Sequence, residues 1–120
     1  MHNKVLIVED DIDIVELLRL YLESSNYITS AASDGLMALD ILKKEKIDIA
    51  LVDIMMPKMD GYALIKEIRK ISNIPIIIIS AKTTDTDRVL GLKIGADAYI
   101  TKPFNPLEVV AYVEAILRRF

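Results

Sequence analysis

The 120-residue sequence predicts one α/β domain in which five parallel strands alternate with five helices. Three observations lead to this fold class. Five short apolar runs are rich in β-branched residues and lack a polar alternating face, which indicates strands covered on both sides. The longer segments between these runs carry apolar residues at helical spacing. The chain is also long enough for one buried core but too short for two.

The five predicted strands share this continuous apolar character. They are Val5–Val8, Tyr27–Ala31, Ile49–Val52, Ile76–Ile79 and, with a weaker pattern, Ala98–Ile100. Right-handed crossovers between parallel strands distribute the helices over both faces of the sheet. The expected architecture is therefore a doubly wound (βα)5 domain.

Three of the helix candidates show an apolar stripe at the i, i+3, i+4 spacing of a helix that packs on a sheet. The stripes are Ile14, Leu17, Leu18, Tyr21 and Leu22, then Leu64, Ile65, Ile68 and Ile71, and finally Val110, Val113, Ile116 and Leu117. The two remaining helix candidates are Leu36–Lys44 and Thr86–Ile94. We assign Asp11 and Asp13 to the start of the first helix, where the helix dipole favours negative charge.

Composition excludes several classes of function. With a formal net charge of −3, the chain is a poor candidate for non-specific binding to nucleic acid. The absence of cysteine excludes disulfides, thiolate catalysis and zinc–sulfur sites. No signal peptide and no long unbroken apolar run is evident, so we expect a cytoplasmic location and no membrane partner.

Polar residues of complementary chemistry follow four of the predicted strands. Glu9 and Asp10 follow the first, Asp53 the third, Ser80 the fourth and Lys102 the fifth. An Asp after a strand is most often a helix cap or a turn residue. However, the carboxyl ends of parallel strands share one edge of a doubly wound sheet, and ligands bind there. We therefore expect these side chains to converge on one site.

The chemistry of this set is that of phosphoryl transfer with a divalent cation. Clustered carboxylates suit Mg²⁺ (or Mn²⁺), which keeps waters and phosphate oxygens among its ligands. A carboxylate can also act as the nucleophile and form an aspartyl phosphate. The cation, the Lys102 ammonium and the Ser80 hydroxyl could then each meet one oxygen of the phosphoryl group.

Four segments of the sequence resemble the receiver domain family of bacterial two-component response regulators. They are VLIVEDD (5–11), LVDIMMPKMDGY (51–62), PIIIISA (75–81) and GADAYITKPF (95–104). The resemblance covers essentially the whole chain, and all four segments in this order are highly specific. It implies the flavodoxin-like receiver fold with strand order 2-1-3-4-5.

The resemblance also implies roles for the acidic residues. Asp53 would be the phosphoacceptor, and Asp10 and Asp53 would be direct Mg²⁺ ligands. Glu9 would act through a metal-bound water, and the backbone carbonyl of Met55 would be a further ligand.

The resemblance implies a switch as well. Ser80 and Lys102 would contact the phosphoryl group, and Ser80 and Tyr99 would be the switch residues. The Lys102–Pro103 peptide bond is expected to be cis. A sensor histidine kinase would donate the phosphoryl group, and the domain would catalyse only its own phosphorylation and dephosphorylation.

The C-terminal segment KPFNPLEVVAYVEAILRRF resembles regulators of the OmpR/PhoB type, in which a winged-helix DNA-binding domain follows the receiver. We expect residues 1–120 to be such a receiver and DNA to be bound only through an effector domain outside this sequence. A stand-alone receiver in a phosphorelay is the alternative. Kinase specificity is expected on the first helix and on the loop after Lys102.

The resemblance further implies a homodimer formed on phosphorylation by the fourth helix, fifth strand and fifth helix. Two of its charge pairs are present, Arg88 with Glu108 and Asp97 with Arg119. The third is absent on both sides, because Ala98 stands where an Asp is usual and Tyr112 where an Arg is usual. Losing both partners leaves no charge unpaired, so we expect a dimer of lower electrostatic specificity.

Two other classes of protein share parts of this pattern. A metal-dependent phosphatase often has a second Asp two residues after its nucleophile, where this chain has Met55. A flavodoxin-like electron carrier needs a Ser/Thr/Gly-rich phosphate loop after the first strand, whereas Glu9, Asp10 and Asp11 stand there and would repel a phosphate. A pseudo-receiver is disfavoured because the full acidic set is present.

Overall fold

The computed structural model describes residues 2–56, 58–81 and 84–119, and in these residues five strands alternate with five helices. The strands are β1 (Lys4–Val8), β2 (Ile28–Ala32), β3 (Ile49–Asp53), β4 (Ile76–Ser80) and β5 (Ala98–Thr101). The helices are α1 (Ile12–Ser24), α2 (Gly35–Lys44), α3 (Gly61–Ile71), α4 (Asp85–Lys93) and α5 (Pro106–Leu117). Every predicted strand therefore exists, and the predicted bounds differ from these by one residue at most.

The five strands form one parallel sheet in the order β2-β1-β3-β4-β5, which confirms the predicted topology. Asp53 is in register with Ile79, and Ser80 with Thr101, so these strands end at one edge of the sheet. The strand order reverses at β1 and β3, and the crevice at their carboxyl ends is where doubly wound sheets bind ligands.

The alternating side chains of the sheet build two separate cores, which explains why the strands have continuous apolar sequences. In β1, Leu6 and Val8 belong to the core under α2 and α3, whereas Val5 and Ile7 belong to the core under α1 and α5. Burial of both faces is the usual condition of a parallel sheet.

Two details of the sequence prediction were wrong. Strand β2, at one edge of the sheet, is only partly covered and Ile28 is exposed, whereas β5 at the other edge is almost fully buried. Leu17 and Ile71 belong to the predicted apolar stripes of α1 and α3, yet both are exposed. Ile71 is the last residue of α3, so its side chain lies beyond the covered part of that helix.

All five helices begin after a residue whose side chain accepts hydrogen bonds from backbone N–H groups of the first turn. These capping residues are Asp11, Asp34, Asp60, Thr84 and Asn105. Such caps fix where each helix starts relative to the preceding strand. None of the helices described is long and apolar enough to cross a membrane.

Candidate functional site

The predicted site residues lie together at the carboxyl edge of the sheet. Glu9 directly follows β1, and its backbone N–H continues the sheet by donating to the Ala32 carbonyl at 3.0 Å. Asp53 and Ser80 are the last residues of β3 and β4. The side chains of Glu9, Asp53 and Ser80 are all buried, which is unusual for two carboxylates unless they have charged partners.

Lys102 supplies that charged partner. Its Nζ lies 2.8 Å from Oε1 of Glu9 and 3.2 Å from Oδ2 of Asp53, so one ammonium bridges the ends of β1 and β3. The Lys102 backbone N–H donates to the Ser80 carbonyl at 2.8 Å, which extends the pairing of β4 with β5. The Lys102–Pro103 bond is cis, as predicted.

Three carboxylates surround the same point. One oxygen each of Glu9, Asp10 and Asp53 lie within 4.8 Å of one another. Asp10 is exposed, whereas the other two are buried. An all-oxygen cluster that is open to solvent on one side fits a hard cation that retains water ligands, as Mg²⁺ does.

Burial and charge perturb the ionisation of this cluster. Burial raises the pKa of Glu9 to about 7, with a further increase from Asp53, while the hydrogen bonds from Lys102 and the Asp11 backbone N–H oppose the rise. For Lys102, burial lowers the pKa, but the contacts with Glu9 and Asp53 outweigh it and the net pKa is raised. The lysine is therefore charged at neutral pH, and its positive charge offsets the repulsion between the Glu9 and Asp53 carboxylates.

The loop after Asp53 is tied to the site by its backbone. The Met55 N–H donates to Oδ1 of Asp53 at 3.1 Å, and the Met55 side chain is exposed. Gly61, at the start of α3, donates its N–H to the Ile54 carbonyl at 2.9 Å. A Cβ at Gly61 would lie 2.6 Å from Cα of Ile54 and 2.7 Å from the Asp53 carbonyl oxygen. Only glycine therefore allows α3 to start this close to the end of β3.

The sequence analysis missed an ion pair at the rim of the site. Lys58 Nζ lies 3.3 Å from Oδ2 of Asp34, and Oδ1 of Asp34 caps α2 by accepting from the Met37 N–H at 2.8 Å. The cap, followed by the Lys58 contact, lowers the pKa of Asp34 although burial opposes this. The pair joins the loop after β3 to α2. An Asp-Gly pair marks the start of both α2 and α3, but no local sequence signal connects Asp34 with Lys58.

The predicted switch residue Tyr99 lies on β5 with its side chain buried, and the Arg88 guanidinium carbon is 5.6 Å from the centre of its ring. The four charged residues of the predicted dimer face are exposed: Arg88, Asp97, Glu108 and Arg119. Asp97 also has partners within the chain, because its Oδ2 accepts from the Ile76 N–H at 2.8 Å and lies 3.4 Å from the Arg69 guanidinium. Ala98 is buried, whereas Tyr112 is exposed.

A doubly wound sheet with an acidic pocket and a lysine at its carboxyl edge is the arrangement that the sequence analysis predicted for a signalling receiver domain. The family model for the response regulator receiver domain matches residues 5–114, and the chain belongs to that family.

Curated relatives support this membership. The chain is 47% identical over 119 residues to response regulator GtcR of Aneurinibacillus migulanus. It is 48% identical to the alkaline phosphatase synthesis transcriptional regulatory protein PhoP of Bacillus subtilis, and 45% identical to the transcriptional regulatory protein CpxR of Escherichia coli. These alignments cover 98–99% of this chain but 49–50% of the relatives. The chain thus spans about half the length of the regulators that it matches.

Solved structures agree on the fold. The Francisella response regulator 1452 receiver domain superposes with a TM-score of 0.94 at 36% identity, covering 98% of both chains. A two-component response regulator from Clostridium difficile gives a TM-score of 0.95 at 30% identity, again with 98% of both chains covered.

Proposed function

We propose that this receiver accepts a phosphoryl group on the Asp53 carboxylate from the phosphohistidine of a sensor histidine kinase. The observation that carries the proposal is the Asp53 carboxylate itself, which is buried at a strand end and lies 3.2 Å from the Lys102 ammonium. An Asp53 oxygen would form the new bond to phosphorus while the bond from phosphorus to the histidine nitrogen breaks. The released imidazole takes up a proton from water. An ionised carboxylate needs no general base for this reaction.

The acidic cluster would hold Mg²⁺ or Mn²⁺. Asp10 and Asp53 offer direct oxygen ligands, the Met55 carbonyl offers another, and Glu9 would bind through a water. A bound divalent cation would neutralise charge on the carboxylates and on the phosphoryl oxygens. Glu9 suits a water-mediated role because its Oε1 already bonds to Lys102.

Lys102 and Ser80 would receive the charge of the phosphoryl group. The phosphoryl group on Asp53 would carry about 1.5–2 negative charges. Lys102 is already at Asp53, whereas Ser80 lies at the end of the neighbouring strand and would be drawn toward the new oxygens. Movement of Ser80 would shift the loop that leads to α4. The position of Tyr99 would then change, and with it the face formed by α4, β5 and α5.

An apolar groove beside the site is the proposed kinase-docking surface. It has a volume of about 440 Å³ and is lined by α1, by the residue after Ser80 and by the loop after β5. The lining residues are Ile14, Leu17, Ala81, Lys102, Pro103 and Phe104. The exposure of Leu17, which was predicted to be buried, fits this role. A helix with apolar residues toward the groove would bring its histidine close to Asp53.

Downstream, we propose homodimerisation through α4, β5 and α5, with Arg88 paired to Glu108 and Asp97 to Arg119 of the other subunit. In the full-length protein this would control transcription through a DNA-binding effector domain, since relatives named as transcriptional regulators are about twice as long. The proposed location is the cytoplasm.

Incubation with Mg²⁺ and acetyl phosphate, followed by intact-protein mass spectrometry, tests the phosphoacceptor. The expected result is one phosphoryl adduct that disappears in Asp53→Asn and in the presence of a chelator. Asp60→Asn is the matched control, because Asp60 lies in the same loop and Asn also caps helices well. An adduct that persists in Asp53→Asn would remove the proposal.

A further inference from the structure

The Arg69 guanidinium lies between the C-terminal ends of two helices. Arg69 is in the last turn of α3, and Gly95 directly follows the C-terminal cap of α4. Nε and Nη2 of Arg69 donate to the Gly95 carbonyl at 3.2 and 2.6 Å. Nη1 donates to the carbonyls of Ile74 and Ser72 at 2.7 and 3.4 Å. A cation is favourable at this place, because the C-terminal ends of helices carry partial negative charge.

Asp97 completes the set of groups around the guanidinium. Its Oδ2 lies 3.4 Å from Nη2 of Arg69 and accepts from the Ile76 backbone N–H at 2.8 Å. The Asp97 backbone N–H donates in turn to the Ile76 carbonyl at 2.7 Å, so main chain and side chain both hold Asp97 at the start of β4. With Asp97 included, the described residues offer an acceptor to each of the five N–H groups of a guanidinium.

The turn between α4 and β5 brings its backbone close to Arg69. Gly95 has a φ of 116°, a conformation that L side chains rarely adopt, and a Cβ there would lie 2.9 Å from Nε of Arg69. The Arg69 side chain is only 25% exposed. Arg69 therefore cannot turn toward solvent without losing its contacts to the turn that precedes Asp97.

This internal partner reduces what Asp97 can contribute at the subunit surface. The Asp97 side chain is 32% exposed, and its contacts with the described residues are made by Oδ2, which leaves Oδ1 for Arg119 of the other subunit in the proposed dimer. A second guanidinium at this carboxylate is repelled by the charge of Arg69 and gains less than it would from a carboxylate without an internal partner. Within the described part of the chain, Glu108 forms no ion pair and keeps its full charge for Arg88.

We infer that Arg69 competes with Arg119 of the other subunit for Asp97, which makes Arg88 with Glu108 the stronger charge pair of the proposed dimer. The inference rests on the proposed homodimer, and it adds a residue of α3, outside the dimer face, that sets how much one of the two pairs contributes. Asp97 serves mainly the turn between α4 and β5.

A double-mutant cycle in the monomer tests the internal pair without any phosphodonor. Asp97→Asn keeps an acceptor for the Ile76 N–H and removes only the charge, and Arg69→Gln removes the guanidinium. Urea unfolding in Mg²⁺-free buffer is expected to show a coupling of about fivefold in the unfolding equilibrium constant, the upper range for a partly exposed ion pair. Lys70→Gln is the matched control. Lys70 is the next residue and pairs with Glu67, so it should not couple with Asp97→Asn.

Sedimentation equilibrium with Mg²⁺ and beryllofluoride, a phosphoryl mimic, ranks the two pairs in the dimer and uses only variants of exposed residues. Glu108→Gln is expected to raise the dimer Kd about fivefold, because a two-fold dimer loses two exposed pairs at once. Arg119→Gln should raise it less than about twofold, since Arg69 already neutralises its partner. Net charge alone would give the opposite order, because Arg119→Gln makes the acidic subunits more negative and Glu108→Gln makes them less so.

The inference is overturned if the monomer cycle is additive, or if Arg119→Gln weakens the dimer as much as Glu108→Gln does. In the Arg69→Gln background, Arg119→Gln should weaken the dimer about fivefold, as expected once the competing charge is gone. A protein that stays monomeric with the mimic would remove the proposed dimer, and with it the ranking of the two pairs. Coupling in the monomer would even then support the internal pair of Arg69 with Asp97, so the two failures are distinguishable.

Discussion

Replacing Gly61 by alanine probes how closely α3 must approach the end of β3, which carries the proposed phosphoacceptor Asp53, and the chain offers a matched control. Gly61 and Gly35 are each the first residue of a helix, and each follows a capping Asp. The gain in helix propensity and the loss of unfolded-state freedom are therefore similar for both substitutions. The two variants differ only in what the new Cβ meets.

At Gly61 the new Cβ meets backbone. It would lie 2.6 Å from Cα of Ile54, whereas ordinary contact begins at 3.4 Å, so α3 must move away by about 0.8 Å. Overpacking of this kind costs about 1–3 kcal/mol. At Gly35 the nearest atoms are Cβ, Sδ and Cγ of Met59, at 3.0–3.2 Å. The Met59 Sδ and Cγ can turn aside, and the Met59 Cβ needs a shift of only about 0.4 Å. Gly61→Ala should therefore be less stable than Gly35→Ala by about 2 kcal/mol.

Urea unfolding of both variants, followed by circular dichroism in Mg²⁺-free buffer, measures this difference. The rate of phosphorylation by acetyl phosphate should also fall in Gly61→Ala, because the displaced loop carries the Met55 contact to Asp53. It should remain near the unmodified rate in Gly35→Ala. Equal stability of the two variants, together with equal phosphorylation, would refute the close approach as described.

Three further predictions concern charge. Lys102→Met should lower the free energy of unfolding by about 2–3 kcal/mol in the absence of Mg²⁺. This is less than the loss for a fully buried ion pair, because the Lys102 ammonium is partly exposed. The loss should be smaller still when Mg²⁺ is present. Identical losses in urea unfolding with and without Mg²⁺ would contradict this. Asp10→Asn should weaken Mg²⁺ binding in calorimetry by at least about tenfold, since loss of even an outer-sphere partner lowers metal affinity by about 10–100-fold, and Asp11→Asn should not. The Glu45 pKa is held below its usual 4.5 by Lys4, so its contribution to stability is present above that value and is lost as pH falls through the lowered pKa. Glu45→Gln should consequently lose less stability in urea between pH 7 and pH 3, and an unchanged loss would show that the contact is absent.

The alternation of strands and helices was predictable because each element carries a local signal. Runs such as Ile76–Ile79 are apolar at every position, and both faces of β4 are buried. The convergence of Asp53 and Lys102 was equally predictable, since it requires only that parallel strands end at one edge. Neither conclusion depends on details of packing.

Other features depend on contacts between elements and have no local signal. The pairing of Lys58 with Asp34 requires the loop after β3 to reach α2, and Lys58 adopts a positive φ of 70° there. The close packing of the Tyr99 ring against α4 depends on the missing side chain of Gly91, which in sequence is only a glycine in a weak helix pattern. Whether such contacts form depends on differences of tenths of an ångström in the spacing of packed elements. The periodicity of the sequence does not encode that spacing.

The charge of the pocket explains how one lysine would serve both the resting site and the proposed phosphorylated site. Three carboxylates converge there, and among the described residues the ammonium in contact with them is that of Lys102, so negative charge is in excess. Burial raises the pKa of Glu9 to about 7, and the nearby Asp53 carboxylate adds to the increase. Lys102 divides its contacts between Glu9 and Asp53, and it satisfies neither fully. A divalent cation would supply the charge that this set lacks, and a phosphoryl group on Asp53 would offer the same ammonium more oxygens without moving it to another strand. The Lys102 ammonium is therefore already placed beside the charge that phosphorylation would create, and the shift of Ser80, with the loop toward α4 and Tyr99, would be the remaining structural change.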